Sequence, residues 1–229
     1  MPPSFTVLTA AEMAALPDLG DWRYTTGTIE ARFQASGFAA AADLVTAIAT
    51  AADLADHHPD LDVRYPGVVH VRLTTHAAGR AVTDLDVALA RTISALATER
   101  GATPDPVAAQ ISELALDALD IGAVLPFWRA VLAYVDDVID DQAEPVHAIK
   151  DPLRIGPSLW FQQMEGPRTE RNRFHLDVIV PHDVAEERLA AALAAGGTLV
   201  TDKFAKAWWI LADAEGNEAC ICTWQDRDS

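Results

Sequence analysis

Cysteine is scarce in this 229-residue chain, in which only Cys220 and Cys222 are present. The two alternate along one predicted strand, a separation that is unsuitable for a disulfide, and such residues are more often small buried side chains of a strand. The N-terminal residues lack the basic stretch and apolar run of a secretory signal. We therefore expect a protein of the reducing cytoplasm.

Basic residues are also scarce, with 17 lysines and arginines against 34 acidic residues and a formal net charge of −17. Neither half of the chain offers a basic surface for a phosphate backbone or an anionic bilayer. We therefore expect no nucleic-acid partner and no membrane partner. The alanine-rich run 38–55 contains Asp43 and Asp53, and is predicted to be too weakly apolar to cross a bilayer.

Apolar residues, in contrast, make up half of the chain, which is enough for a folded core in one large domain or two small ones. The segment Gly101–Pro106 contains one glycine and two prolines, which is typical of a domain boundary. We predict one domain over residues 1–103 and a second over residues 108–229. The first is predicted to run helix, hairpin, helix, hairpin, helix.

Four of the seven histidines fall within twenty residues, at positions 57, 58, 70 and 76. Histidine exchanges protons near neutral pH and also binds metals, so this group indicates either proton transfer or a metal site. The positions that define the surrounding pattern are Asp53, His57, His58, Pro59, Tyr65, Thr75, His76 and Asp86. Pro59 is predicted to end the helix over 38–56, and Thr83 with Asp86 forms a predicted capping box for the next helix.

This spacing resembles the signature of the pterin-4a-carbinolamine dehydratases, and the hydrophobic framework of residues 5–100 resembles that family as well. The stretch from Tyr65 to Asp86 is a residue or two longer than is usual there. Asp84 competes with Asp86 for the acidic position, and Asp86 is preferred because the residues that follow it keep the family's register. The resemblance implies an antiparallel sheet with helices on one face, and loss of water from a 4a-hydroxytetrahydropterin.

The resemblance also implies the site residues. It assigns catalysis to His57, His58 and His76, and it assigns substrate binding to Pro59, Tyr65 and Asp86. An acid must help hydroxide to leave and a base must accept the proton of ring N5, and no cofactor is required for this dehydration. His57, at a helix C-terminus, is a candidate acid and His76 a candidate base, but the sequence leaves these roles open.

Each of these residues has a structural alternative. His57 could be only a helix cap, and Asp86 only the third residue of its capping box rather than a group that orients a histidine or grips the pterin. Tyr65 could be a core side chain, and His70 is expected to be exposed or to line the cleft. A zinc site formed by the three catalytic candidates and Asp86 is disfavoured, because adjacent histidines chelate one ion poorly.

The second half contains a weak internal repeat, in which each copy is predicted as strand, helix and three further strands. The two predicted helices cover 123–135 and 185–195. Two βαβββ units in tandem resemble the glyoxalase-like members of the vicinal oxygen chelate superfamily, and the segments that carry this resemblance are Phe127–Tyr134, Arg173–Asp177 and Leu211–Glu218. The predicted fold class is therefore α+β, with a dehydratase-like antiparallel sheet followed by this tandem βαβββ domain.

In that superfamily, metal ligands come from the first and last strands of each unit. The resemblance puts Glu113 and His175 in the first-strand positions, and it puts Gln162 or Gln163 and then Cys220 in the last-strand positions. This set is incomplete for a divalent metal, because Cys220 stands where a carboxylate is usual. The domain therefore binds a divalent metal through Glu113 and His175, or an organic ligand, or nothing.

The two resemblances imply a 4a-hydroxytetrahydrobiopterin dehydratase fused to a glyoxalase-like domain, and we expect this protein to be cytoplasmic. By resemblance it is a homo-oligomer whose partner is a small-molecule pterin. One alternative is a metal-dependent lyase, isomerase or dioxygenase centred on the second domain. Another is a protein that binds a pterin or a protein partner without turnover.

Overall fold

The computed structural model of this protein describes residues 5–25, 27–79, 81–109, 111–137, 147–167 and 175–226. It forms two compact units, and the chain passes from the first to the second between Ile111 and Ser112. Each unit has a hydrophobic core of its own.

The first unit contains three α-helices and five strands among its described residues. In chain order they are α1 (Ala10–Ala14), β1 (Arg23–Thr25), β2 (Thr28–Gln34), α2 (Phe38–Ala55), β3 (Asp60–Arg64), β4 (Val68–Leu73), α3 (Asp84–Glu99) and β5 (Thr103–Pro104). The strands form an antiparallel sheet in the order β1-β2-β4-β3, and β5 pairs with the end of β2. A short 3₁₀ helix at His76–Ala78 follows β4.

Strand alternation separates the two faces of this sheet. Alternate side chains of β2 and β4, such as Phe33 and Val71, lie in the core with the helices. The residues between them, including Glu30 and His70, therefore face away from the helices. This arrangement confirms the predicted antiparallel sheet with helices on one face.

Helix α2 has the length and the mean hydropathy, 1.5, of a helix that could cross a membrane. The prediction that this run is too weakly apolar was therefore wrong, because its alanines and leucines outweigh two aspartates. Its residues Ala41, Leu44, Ile48 and Ala52 recur at helical spacing and are buried in the core of the first unit.

The second unit repeats one arrangement twice. Its described elements are β6 (Glu113–Ala118), α4 (Ile121–Leu132), β7 (Val135–Asp136), β8 (Ala148–Lys150), β9 (Ser158–Gln163), β10 (Leu176–Ile179), α5 (Ala185–Ala194), β11 (Thr198–Thr201), β12 (Trp208–Ala212) and β13 (Glu218–Cys222). They form two four-stranded sheets, in the orders β6-β9-β8-β7 and β10-β13-β12-β11. In each sheet the first and last strands of the repeat pair in parallel, which confirms the predicted tandem βαβββ fold.

Helix α4 ends three residues before the predicted end at Val135, which lies instead in β7. Ala133 follows the helix in the left-handed conformation, with φ 54°, and its amide donates to Ala130. A left-handed residue ends an α-helix, but glycine is its usual sign in a sequence. The end of α4 could therefore not be predicted from the sequence.

Candidate active site

His57 lies just after α2 and is held against the first turn of α3. Asp56 adopts the left-handed conformation, with φ 49°, and the His57 amide donates to the carbonyl oxygen of Ala52. The chain thereby turns so that the His57 Nε2 atom lies 2.7 Å from Oδ1 of Asp86. The His57 side chain is 11% exposed and that of Asp86 is fully buried.

Asp86 has several further partners. Its Oδ2 atom accepts hydrogen bonds from the Thr83 amide at 2.7 Å and from the Thr75 hydroxyl at 2.8 Å. The first of these bonds belongs to the capping box that starts α3, and it confirms the predicted pairing of Thr83 with Asp86. An ionised carboxylate only accepts hydrogen bonds, so with Asp86 ionised the contact requires a proton on His57 Nε2. The other ring nitrogen, Nδ1, does not take part in this contact.

The same geometry bears on the two uses considered for Asp86. Both of its oxygens are occupied by protein groups, and its side chain has no exposed surface. This geometry favours the use of the carboxylate to orient His57 over its use to grip a pterin. Asp84 lies on the surface, where its Oδ1 accepts the Thr6 amide.

The chain brings His76 to this cluster through its neighbour. Thr75 bonds to both Asp86 and Thr83, and the next residue, His76, starts the 3₁₀ helix with an exposed side chain. His58 turns to the surface, where its Nε2 atom lies 3.0 Å from Oδ1 of Asp53. His57 is therefore bonded to Asp86 directly, whereas His76 is the chain neighbour of Thr75, which is bonded to Asp86.

Pro59 lies between this cluster and β3, whereas Tyr65 lies at the other end of that strand. Tyr65 follows Arg64, the last residue of β3, and five residues of extended chain separate it from Asp60 by about 16 Å. It is 88% exposed, so the prediction of a core side chain was wrong. Within one chain it does not join the histidine cluster.

His70 was expected to be exposed or to line the cleft, but its side chain is only 16% exposed and its Nε2 atom lies 3.1 Å from Oε2 of Glu30. Burial raises the pKa of the Glu30 carboxyl, but hydrogen bonds from His70 and Thr25 outweigh burial and hold this pKa below its usual value. No local pattern in the sequence links Glu30 to His70, so this pair was not predicted.

Potential metal ligands gather in the second unit rather than at the histidine cluster. Among the residues that the structure describes, three ligand-bearing side chains come within 4.8 Å of one another only at His175, Asp177 and Cys220. The alternative of a zinc site in the first unit therefore has no support from the geometry. Burial, followed by the neighbouring Asp177 carboxylate, raises the pKa of the Cys220 thiol to about 12.

A cavity of about 160 Å³ lies beside this group. His175, Glu113 and Glu218 contribute its charged or titratable lining, and Trp128 and several leucines contribute most of the rest. Glu113 thus lies at the same cavity as His175, as the predicted metal pair requires, but it does not belong to the three-residue group.

Comparison with known proteins gives a family-model match for each unit. Residues 6–96 match the family described as Pterin 4 alpha carbinolamine dehydratase, and residues 113–222 match the family described as Glyoxalase-like domain. A protein of Mycobacterium leprae (strain Br4923), provisionally named pterin-4-alpha-carbinolamine dehydratase, is 40% identical over 92 residues. These residues are 40% of this chain and 96% of that protein.

Two solved structures resemble one unit each. The transcriptional coactivator/pterin dehydratase from Brucella melitensis is 34% identical, with a TM-score of 0.37, over 40% of this chain and 99% of that one. The fosfomycin resistance protein FosX from Mesorhizobium loti is 10% identical, with a TM-score of 0.39, over 49% of this chain and 90% of that one.

Proposed function

Because this chain belongs to the pterin-4a-carbinolamine dehydratase family through residues 6–96, we propose that its first unit removes water from a 4a-hydroxytetrahydropterin. The observation that carries the proposal is the 2.7 Å contact between His57 Nε2 and the buried carboxylate of Asp86. A carboxylate in this position fixes the tautomer and the orientation of an imidazole, as proton transfer requires.

The reaction consists of two proton transfers. The bond between C4a and its hydroxyl oxygen breaks, and the hydroxyl leaves as water with a proton from an acid. The proton on N5 passes to a base, and its bonding electrons form the C4a–N5 double bond of the quinonoid dihydropterin. No electron is gained or lost overall, so side chains that exchange protons supply all the chemistry required, and the proposal includes no cofactor.

His57 and His76 are the side chains to which we assign these transfers. His57 offers Nδ1, since its Nε2 atom is bonded to Asp86. His76 is exposed beside Thr75, which donates to the same carboxylate. His58, paired with Asp53 at the surface, is a third candidate, and Pro59 shapes the turn that follows it. Tyr65 is not assigned to this site.

The test is the rate of quinonoid dihydropterin formation from freshly generated 4a-hydroxytetrahydropterin, followed by absorbance. The unaltered chain should accelerate this step. His57→Gln and His76→Gln should each reduce the enzymatic rate by about 10²–10⁴-fold, and the double variant should show no acceleration. A double variant that stays folded and fully active would overturn the proposal. Tight pterin binding by the unaltered chain without turnover would favour a binding protein instead.

Two aspartates in the first turn of α3 give a matched control. Asp86→Asn keeps an oxygen for the Thr83 amide but offers His57 an amide group, and should lower kcat by about 10²-fold or more. Asp84→Asn changes the same charge two residues away on the surface and should leave kcat unaltered. Equal effects of the two substitutions would point to helix stability rather than to orientation of His57.

The proposal includes a homo-oligomeric, cytoplasmic protein whose partner is a small-molecule pterin. Light scattering of the purified full-length chain measures the subunit number directly.

A further inference from the structure

Thr75 makes polar contacts with two other buried side chains beside the candidate site of the first unit. Its Oγ1 atom lies 2.8 Å from Oδ2 of Asp86 and 2.7 Å from Oγ1 of Thr83. Thr75 is buried, and Thr83 and Asp86 have no exposed surface. Because burial of a polar group is costly unless the group is hydrogen-bonded, these three side chains depend on one another for partners.

The direction of these hydrogen bonds follows from the number of protons available. An ionised Asp86 only accepts, so the Thr75 hydroxyl donates its single proton to Oδ2. Thr75 then accepts in its contact with Thr83, whose hydroxyl is the donor there. Thr83 Oγ1 also lies 3.3 Å from Oδ2 of Asp86, but its one proton is used in the shorter contact with Thr75. The bonds therefore run from Thr83 through Thr75 to the carboxylate, and bonds in such a chain strengthen one another.

This chain of hydrogen bonds fixes the orientation of the carboxylate. Oδ2 of Asp86 accepts both the Thr75 hydroxyl and the Thr83 amide, whereas Oδ1 lies 2.7 Å from His57 Nε2. Two donors on one oxygen restrain rotation of the carboxylate group, and this restraint keeps the other oxygen directed at the imidazole. Thr75 thus acts on His57 through Asp86.

The main chain of Thr75 holds the start of the turn that carries His76. The Thr75 amide donates to the carbonyl oxygen of Ala81 at 3.0 Å, and the Thr75 carbonyl oxygen accepts the Ala78 amide at 3.0 Å. His76 is the first residue of the 3₁₀ helix that begins here. One residue therefore orients the carboxylate with its side chain and starts the turn of His76 with its main chain.

We propose that Thr75 is a positioning residue of the dehydration site, whose hydroxyl holds the Asp86 carboxylate in the orientation that His57 requires for proton transfer. This inference rests on the dehydratase function proposed above for the first unit. A misplaced proton donor or acceptor slows the chemical step without weakening substrate binding. Loss of the hydroxyl should therefore lower kcat and leave KM unaltered.

The preceding residue provides a matched control. Thr74 and Thr75 are 6% and 5% exposed, so a substitution at either one removes a buried hydroxyl. The Thr74 hydroxyl donates to the carbonyl oxygen of Gly27 at 2.9 Å and not to a side chain of the site. Replacement by valine keeps the branched Cβ at both positions. The two variants should therefore have similar effects on folding, but only Thr75→Val removes a donor from Asp86.

The first measurement is the steady-state kinetics of dehydration. Thr75→Val should lower kcat by about 10–100-fold, the rate equivalent of one hydrogen bond to a charged group, with KM unaltered. Thr75→Ser keeps a hydroxyl and should restore most of kcat, and Thr74→Val should keep the kcat of the unaltered chain. Full activity of folded Thr75→Val, or equal losses in Thr74→Val and Thr75→Val, would overturn the proposal.

The second measurement does not require activity. With Asp86 ionised, the Nε2 proton of His57 lies in a hydrogen bond to a buried carboxylate, and proton NMR should show it far downfield. Its absence from His57→Gln assigns the resonance. Thr75→Val should move it further downfield, because a carboxylate that has lost one donor binds the remaining donors more strongly. Thr74→Val should leave it in place, and an unmoved resonance in Thr75→Val would overturn the proposal.

The two measurements separate this proposal from the dehydratase function. If the unaltered chain does not accelerate dehydration, the function is contradicted, whereas the resonance still decides whether Thr75 orients Asp86 and His57. Should Thr75→Val fail to fold, Thr75→Ala removes the same hydroxyl from a smaller side chain. Its comparison with Thr74→Ala then decides between the same outcomes.

Discussion

Histidine–carboxylate pairs recur along this chain, and their burial decides what each can do. The pairs are His57 with Asp86, His58 with Asp53, His70 with Glu30, and His175 with Asp177. The exposed pair at His58 has side chains that are 59% and 79% exposed, and such pairs contribute little to stability. The two pairs with a fully or almost fully buried carboxylate hold their imidazoles in one orientation, so substitutions there should have measurable effects.

The buried Glu30 makes stability depend on pH in a definite direction. Its folded-state pKa is held below the ordinary value of 4.5 by hydrogen bonds from His70 and Thr25, which outweigh burial. A lowered pKa stabilises the fold above the unfolded-state pKa, and this contribution is lost as the pH falls through the folded-state value. We expect Glu30→Gln to lower the free energy of unfolding by on the order of 1–3 kcal/mol at neutral pH.

The pH dependence can be measured by urea denaturation from neutral to acid pH. The unaltered chain should lose stability more steeply than Glu30→Gln below about pH 4.5. Glu99→Gln, at a side chain that is 73% exposed, should follow the unaltered chain. Parallel curves for Glu30→Gln and the unaltered chain would contradict the prediction.

Among the elements, the end of α2 has the most direct bearing on the site. Asp56 is left-handed, with φ 49°, and the next residue is His57. Asp56→Gly should stabilise the fold by up to about 1 kcal/mol and leave the dehydration rate unaltered, because glycine adopts this conformation without strain. Asp56→Val should destabilise by about 1–2 kcal/mol and lower the rate, because His57 would shift. Thermal denaturation and the dehydration assay check both, and equal effects of Gly and Val would contradict the role of this conformation.

The element boundaries show what the sequence could and could not predict. The capping box at Thr83 is a local pattern that the sequence predicts, and it is present. The ends of α2 and α4 were predicted too late, because Asp56 and Ala133 are left-handed without being glycine. Side-chain and backbone conformations of this kind depend on the packing around them.

The part of the site that depends on the spacing of residues along the chain could be predicted from the sequence. The motif led to His57 and to Asp86 in preference to Asp84, and these two lie together. The pairing of Glu30 with His70 depends on the register of β2 and β4, in which Glu30 lies opposite Arg72. Such a diagonal contact between strands forty residues apart in sequence could not be assigned before the strands were paired.

At the scale of the whole molecule, two separate cores predict two unfolding events. Ile48 and Leu211 are fully buried, one in each core. We expect two transitions in calorimetry of the full-length chain. Ile48→Ala should destabilise one by about 2–5 kcal/mol, and Leu211→Ala should destabilise the other by a similar amount. A single transition that both substitutions shift would contradict the prediction and show that the cores unfold as one.

The two roles of Asp86 affect how descendants of this chain would lose the proposed dehydratase activity. One carboxylate both caps α3 and holds His57, so a lineage that abandoned dehydration would still be under selection to keep it for folding. The side chain of His76 is exposed on a short 3₁₀ helix. Selection for folding would not preserve it, so other residues could replace it once the activity was lost. In a related chain, His76 would therefore be the better marker of an active enzyme, whereas Asp86 alone would mark only an intact fold.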